Sequence, residues 1–177
     1  MFDLNLLAEA EALLARCRAA RLRLALAESC TGGLIAACLT EIPGASDVLE
    51  RGLVVYANSA KMALLGVPEA LLEREGAVSE AAARAMAEGA LWSAPVELAL
   101  AVTGIAGPGG GTKEKPVGLV HLAAARKGVA TLHRAEHFAG DRRQIRLASV
   151  AAGFALLRAL LDQATPAEPK AGSPGAP

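Results

Sequence analysis

Residues 28–33, Glu28-Ser29-Cys30-Thr31-Gly32-Gly33, are the stretch that decides the fold of this chain. They follow an apolar run at residues 22–27 and precede a helical pattern at residues 34–40, which predicts a strand, a turn and a helix. Glycines let the backbone approach a ligand closely, and a helix N-terminus favours negative charge. Such a turn suits a phosphate cradle or a nucleophile with its oxyanion hole, and the alternative is an ordinary turn with a capping Ser or Thr.

Alternating strand and helix patterns continue on both sides of this turn. Helices are predicted at residues 3–19, 33–40, 58–65, 80–93 and 141–161, with a short helical turn at 69–73. We expect N-caps from Asp3, Ser79 and either Asn58 or Ser59. Strands are predicted at residues 22–27, 53–56 and 96–102, and as a hairpin at 117–125 and 129–138. This order predicts an α/β fold, a three-layer α/β/α sandwich on a mixed, mostly parallel sheet.

Composition restricts the class of protein. The 177 residues fit a single domain at 1–164 and a Pro/Gly/Ala-rich tail at 165–177, which we predict to be disordered. With 53% apolar and 3% aromatic residues, the core must consist mainly of Ala, Leu and Val. The 18 basic and 18 acidic side chains balance, which argues against nucleic acid as a partner. No leader and no apolar run of membrane-spanning length is evident, so we predict a cytoplasmic protein that does not bind membranes.

The three cysteines (Cys17, Cys30 and Cys38) indicate neither a disulfide framework nor a zinc site, because their number is odd and none shows C-x-x-C spacing. His133 and His137 are four residues apart, but the surrounding pattern is that of a strand, so no metal site is expected. We predict no metal and no cofactor.

Polar segments follow the first three predicted strands, at the edge where open α/β sheets bind ligands. They are the turn at residues 28–33, the segment Tyr56-Ala57-Asn58-Ser59-Ala60-Lys61, and the glycine-rich loop at residues 103–112. None of them matches the Walker A or the G-x-G-x-x-G phosphate-binding pattern, which argues against a dinucleotide-binding fold.

Six short motifs together resemble the CinA C-terminal domain family. They are Ala27-Glu28-Ser29-Cys30-Thr31-Gly32-Gly33, Tyr56-x-Asn58-x-x-Lys61, Gly76-Ala77-Val78-Ser79, Thr103-Gly104-Ile105-Ala106-Gly107-Pro108, Lys115-Pro116-Val117-Gly118 and Gly140-Asp141-Arg142. The resemblance covers about residues 5–161, with Ala57 standing where a serine is expected. It implies a nicotinamide-nucleotide amidase, which converts nicotinamide mononucleotide to nicotinate mononucleotide and ammonia. Some family members carry an upstream molybdopterin-binding-like domain, and this sequence resembles the stand-alone form.

The resemblance implies Ser29 as the nucleophile, with Tyr56 and Lys61 as its activating partners. A serine hydroxyl needs an adjacent base, and no histidine lies in the three polar segments. A buried lysine with a lowered pKa can serve as that base, and a tyrosine can relay the proton. The alternatives are a solvated Lys61 and a Tyr56 that packs in the core. Cys30 is a rival nucleophile, although its side chain is expected to point elsewhere.

The remaining predicted site residues bind substrate. Backbone N–H groups of the turn are expected to form the oxyanion hole, the glycine-rich loop to hold ribose or phosphate, and two arginines on one helical face to bind the phosphate. The predicted substrate-binding residues are Cys30, Thr31, Gly32, Gly33, Asn58, Thr103, Gly104, Ile105, Gly107, Lys115, Arg142 and Arg146. Glu28 is interpreted either as a side chain that orients this turn or as a satisfied carboxylate at the strand end.

Three functions follow from this sequence. The first is the amidase, acting on a small pyridine nucleotide as a homo-oligomer. The second is a non-catalytic nucleotide- or partner-binding module, which an activated serine argues against. The third is hydrolysis of another amide, such as a pyridine carboxamide without ribose phosphate.

Overall fold

The computed structural model describes residues 2–163. It has one five-stranded sheet with helices on both faces. The helices are α1 (Leu4–Ala19), α2 (Leu34–Thr40), α3 (Asn58–Leu65), α4 (Glu69–Glu75), α5 (Glu80–Trp92) and α6 (Arg142–Asp162). The strands are β1 (Leu24–Glu28), β2 (Leu49–Val54), β3 (Leu98–Gly104), β4 (Leu119–Arg126) and β5 (Val129–His137). The tail predicted at residues 165–177 lies outside the described residues.

The strand order is β2-β1-β3-β4-β5. β1 pairs in parallel with β2 and β3, whereas β3 with β4 and β4 with β5 pair antiparallel. The predicted α/β sandwich on a mixed sheet is thus confirmed, with its pairings divided evenly between the two types. Parallel pairing brings the carboxyl ends of β1, β2 and β3 to one edge, where their polar segments meet.

Two apolar layers hold the helices on the sheet. Leu24 and Leu26 of β1 point to the layer shared with α1, α2 and α6, whereas Ala25 and Ala27 point to the layer shared with α3, α4 and α5. Burying one leucine side chain contributes about 1.5–3 kcal/mol. The small alanines on the second face let the alanine-rich α5 pack close to the sheet. Lys61 of α3 lies on this second face, and its side chain is one of the largest that are fully buried.

Two of the three predicted N-caps are confirmed. Asp3 and Ser79 accept N–H groups of the first turns of α1 and α5. The prediction for α3 is wrong, because its N-cap is Ala57 and no side chain caps it. β2 begins at Leu49, before the predicted residue 53, because pairing with β1 places Leu49 opposite Leu24.

α6 corrects the expectation that no segment resembles a membrane span, since its length and apolar composition suffice for one. Its apolar face, however, is buried against the sheet, and it includes Ile145, Val150, Phe154 and Leu157. We therefore describe α6 as a core helix.

Candidate active site

The carboxyl ends of the three parallel strands bring the predicted nucleophile and base together. The N–H of Ser29 donates to the carbonyl of Val102 at 3.0 Å, which fixes Ser29 beside the end of β3. On the other side, the N–H of Val55 donates to the carbonyl of Glu28 at 2.8 Å. Because Val55 leads directly into α3, this bond also places Lys61, in the second turn of α3, next to Ser29.

Lys61 Nζ lies 3.2 Å from Ser29 Oγ in the interior of the protein. The side chain of Lys61 is only 1% exposed, and Ser29 is 9% exposed. Nζ also donates to the carbonyl oxygens of Val55 at 2.9 Å and Tyr56 at 3.2 Å. No carboxylate is among these partners, so burial lowers the pKa of Lys61 below its usual value.

The three contacts of Nζ match the hydrogen-bonding capacity of a neutral amine, which has two N–H donors and one lone pair. The two carbonyl oxygens can only accept, so they take both N–H bonds of the –NH₂ group. The nitrogen lone pair is then left for the hydroxyl of Ser29, which can donate. The geometry is therefore that of a base facing the proton it would remove.

The side chain of Tyr56 is placed differently from the prediction. It is 59% exposed, and within the described residues its hydroxyl is hydrogen-bonded to Arg142 Nη2 at 2.9 Å, not to Ser29 or Lys61. Tyr56 contacts Lys61 through its backbone carbonyl. A tyrosine relay between Ser29 and Lys61 therefore stays a prediction without a contact to carry it.

Two glycines shape the turn after Ser29. Gly32 and Gly33 have φ angles of +59° and +93°, which a residue with a Cβ rarely adopts. Their N–H groups are already engaged, since that of Gly32 donates to the carbonyl of Ser29 and that of Gly33 to Glu28 Oε2. The N–H groups of Cys30 and Thr31 lie beside the Cys30 sulfur, and they are the remaining candidates for an oxyanion hole.

The neighbouring side chains of the turn have distinct properties. Burial raises the pKa of the Cys30 thiol to about 12, so the thiol stays protonated and is a poor nucleophile. Thr31 Oγ1 is buried and has no hydrogen-bond partner among residues 2–163. An unsatisfied buried hydroxyl costs about 1–3 kcal/mol, and it leaves hydrogen-bonding capacity for a ligand.

The two predicted phosphate-binding arginines bind protein atoms. Arg142 donates to the carbonyl of Gly107 at 2.7 Å as well as to Tyr56, which links α6 to the glycine-rich loop. Arg146 donates through Nε and Nη2 to the carbonyl of Thr31, at 3.2 and 2.5 Å. Each guanidinium has five N–H bonds, so both retain donors for an anion.

The structure does not bring several other predicted residues into contact with Ser29 or Lys61. Thr103 Oγ1 donates to the carbonyl of Ala77 at 2.8 Å, and Lys115 Nζ donates to that of Glu75 at 2.6 Å. Asn58 is exposed and its side chain makes no hydrogen bond within the described part of the chain.

Gly104 and Ile105 help to pair the end of β3 with the start of β4. Gly104 belongs to β3 and not to the loop, and a Cβ there would lie 2.7 Å from the Val120 side chain. Ile105 exchanges backbone hydrogen bonds with residues at the start of β4. The predicted strand positions of His133 and His137 are confirmed, since both lie in β5. His133 Nε2 lies 3.0 Å from Nδ1 of His121, which is in β4.

The backbone carbonyl groups of Val55 and Gly107, which accept from Lys61 and Arg142, were not predicted from the sequence. Patterns of side chains do not show which backbone carbonyl faces a buried amine. The predicted turn between β2 and α3 is the one signal in the sequence that could have pointed to Val55.

Comparisons with known proteins agree with this architecture. The family model of the CinA C-terminal domain matches residues 7–161. A putative competence-damage inducible protein of Caldicellulosiruptor bescii is 51% identical over 142 residues, which are 78% of this chain and 33% of that protein. A CinA-like protein of Syntrophotalea carbinolica is 54% identical over 140 residues, 79% of this chain and 34% of its own length. The chain thus spans about a third of these curated relatives.

Solved structures match over nearly their whole length. The competence/damage inducible protein CihA from Agrobacterium tumefaciens gives a TM-score of 0.89 at 46% identity, over 92% of this chain and 99% of that one. A CinA superfamily protein from Escherichia coli gives 0.84 at 36% identity, over 90% and 94%. With its family model, its relatives and its fold in agreement, the chain belongs to the CinA C-terminal domain family.

Proposed function

We propose that this protein is a nicotinamide-nucleotide amidase, which hydrolyses the carboxamide of nicotinamide mononucleotide with Ser29 as nucleophile and Lys61 as base. The observation that carries the proposal is the buried contact of 3.2 Å between Lys61 Nζ and Ser29 Oγ. Burying a lysine that has no carboxylate partner among residues 2–163 lowers the stability of the protein. A role as the base for Ser29 explains why such a lysine would be kept in the interior.

In the first half of the reaction, Ser29 Oγ attacks the carboxamide carbon and Lys61 takes the hydroxyl proton. The carbonyl oxygen becomes an oxyanion, which the N–H groups of Cys30 and Thr31 stabilise. Lys61 then returns the proton to the departing nitrogen, so ammonia leaves and an acyl–serine ester remains.

In the second half, water attacks the ester carbon and Lys61 accepts a proton from the water. The ester bond breaks, the proton returns to Ser29 Oγ, and nicotinate mononucleotide is released. The carbonyl groups of Val55 and Tyr56 hold Lys61 in place throughout, because they accept from Nζ in its neutral and charged forms alike.

The phosphate subsite of this proposal lies at Arg142 and Arg146. Arg142 contacts the glycine-rich loop and Arg146 contacts the nucleophile turn, so an anion between them would be attached to both walls of the site. An arginine–phosphate contact is charge-assisted and compensates for the absence of net positive charge on the protein.

The test is ammonia release by the purified chain from nicotinamide mononucleotide, from its dephosphorylated riboside and from free nicotinamide. We expect the mononucleotide to be hydrolysed with the highest kcat/KM. Equal rates on free nicotinamide would favour a general pyridine carboxamidase. Release from none of the three would support the non-catalytic binding module.

A further inference from the structure

Glu28 directly precedes the proposed nucleophile, and its buried carboxylate is hydrogen-bonded to the start of α2 and not to the Ser29 side chain. It is 1% exposed. Its Oε2 accepts the N–H groups of Gly33 and Ile35, both at 3.0 Å, and its Oε1 accepts that of Ala36 at 2.8 Å. Three charge-assisted hydrogen bonds therefore join this side chain to Gly33, the N-cap of α2, and to the first turn of that helix.

Glu28 and Ser29 project to opposite faces of the sheet. Side chains alternate along a strand, and Ala27 lies in the layer that contains α3 and α5. Glu28 accordingly points to the opposite face, towards α2, while Ser29 points to Lys61. Any influence of Glu28 on the nucleophile must therefore pass through the backbone.

The backbone of the turn is fixed at both of its ends by this one residue. The carbonyl of Glu28 accepts the N–H of Val55 at 2.8 Å, which ties the turn to the segment that carries Lys61. The carboxylate of Glu28 holds Gly33, at the other end of the turn. Residues 29–32, with the nucleophile and the remaining oxyanion donors, lie inside this closed loop.

The same contacts decide which amides are open to a ligand. An unoccupied helix N-terminus attracts anions through its free N–H groups and its dipole. Here the carboxylate of Glu28 already binds these groups, so neither the substrate's phosphate nor its oxyanion can use the start of α2. Between Cys30 and Ala36, only the N–H groups of Cys30 and Thr31 have no oxygen acceptor within the described residues.

We propose that Glu28 is a positioning residue of the proposed amidase: its carboxylate closes the turn onto α2 and thereby sets the direction of Ser29 Oγ and of the Cys30 and Thr31 N–H groups. This inference rests on the proposed function. It extends that function from the reacting groups to the residue that orients them.

Glu28→Gln tests the proposal with little change in side-chain volume. A carboxamide has one accepting oxygen, so its –NH₂ group must face at least one of the three backbone N–H groups. Glu97→Gln is the matched control, because Glu97 Oε2 accepts the N–H of Arg23 at 2.9 Å, at the opposite edge of the sheet. Glu28→Asp, which is one methylene too short to reach α2, is the second variant.

Two readouts separate positioning from a structural role. The first is the split between kcat and KM in amide hydrolysis. The second is the rate at which a fluorophosphonate labels Ser29, where Oγ bonds to phosphorus, fluoride leaves and Lys61 takes the proton. Both kcat and the labelling rate are expressed per folded molecule, with the folded fraction measured by circular dichroism at 25 °C.

For Glu28→Gln we expect labelling and kcat to fall by about 10-fold to 100-fold with KM within about 3-fold, and for Glu97→Gln no change beyond about 2-fold. A folded Glu28 variant that labels within about 2-fold of wild type would overturn the proposal. So would failure of both Glu28 variants to fold, since the residue would then serve the fold alone. If wild type is labelled but releases no ammonia, the proposed substrate is wrong, and the labelling ratio still decides the role of Glu28.

Discussion

Replacing Lys61 by methionine tests the proposed base most directly, because methionine has a similar length and cannot accept a proton. The amine faces Ser29 Oγ at 3.2 Å, with two carbonyl acceptors on its other sides. General-base catalysis contributes about 10²–10⁴-fold to a rate, which corresponds to about 2.7–5.4 kcal/mol of transition-state stabilisation. We expect Lys61→Met to lower kcat by this factor.

The dependence of the wild-type rate on pH gives a second measure of the same group. Burial lowers the pKa of Lys61 from 10.5. Only the neutral amine can accept the serine proton, so kcat/KM should rise about tenfold per pH unit below this lowered pKa and level off above it. Lys61→Met should lose this rise, whereas Lys61→Arg keeps a cation that cannot deprotonate and should be as slow as Lys61→Met.

The assay is ammonia release from nicotinamide mononucleotide between pH 6 and pH 10, with Lys127→Met as the control. Lys127 is exposed between β4 and β5, so its loss should leave both the rate and its pH profile unchanged. A Lys61→Met rate within tenfold of wild type, or a wild-type rate that falls with rising pH, would refute the assignment of Lys61 as base.

Three further predictions concern the nucleophile, substrate binding and stability. Ser29→Ala should lower kcat at least about 1,000-fold at similar KM, whereas Cys30→Ala should be nearly neutral; the reverse pattern in steady-state kinetics would move the chemistry to the thiol. Arg142→Ala should raise KM for the mononucleotide about tenfold without affecting the riboside, and Tyr56→Phe should show a weaker form of the same change because its hydroxyl contacts Arg142; a loss confined to kcat in Tyr56→Phe would instead support the tyrosine relay. The free energy of unfolding in urea should increase with pH between the lowered pKa of folded Lys61 and about 10.5, by at most about 1.4 kcal/mol per unit, because in that range the unfolded chain binds the Lys61 proton and the folded state does not; an equal increase in Lys61→Met would show that another group is responsible.

Local signals in the sequence explain why much of this fold was predictable. Strand–turn–helix alternation around residues 28–33 determined the layer architecture, since apolar periodicity and turn residues act over a few neighbours. The N-caps Asp3 and Ser79 could be predicted because a capping side chain accepts a hydrogen bond from a backbone N–H in the first turn of its own helix. β2 was misplaced, because its start depends on its partner strand β1 and not on its own pattern.

The sequence by itself determined which residues could react, and only the tertiary structure decided which of them meet. Ser29 and Lys61 are 32 residues apart in the chain, and the parallel pairing of β1 and β2 brings their side chains into contact. Tyr56 belongs to the same sequence motif as Lys61, yet the turn into α3 directs its hydroxyl towards Arg142. The lowered pKa of Lys61 is likewise a property of the tertiary structure. It comes from burial and from the absence of a carboxylate among its hydrogen-bond partners in the described residues, which depend on how distant segments pack and not on any local pattern.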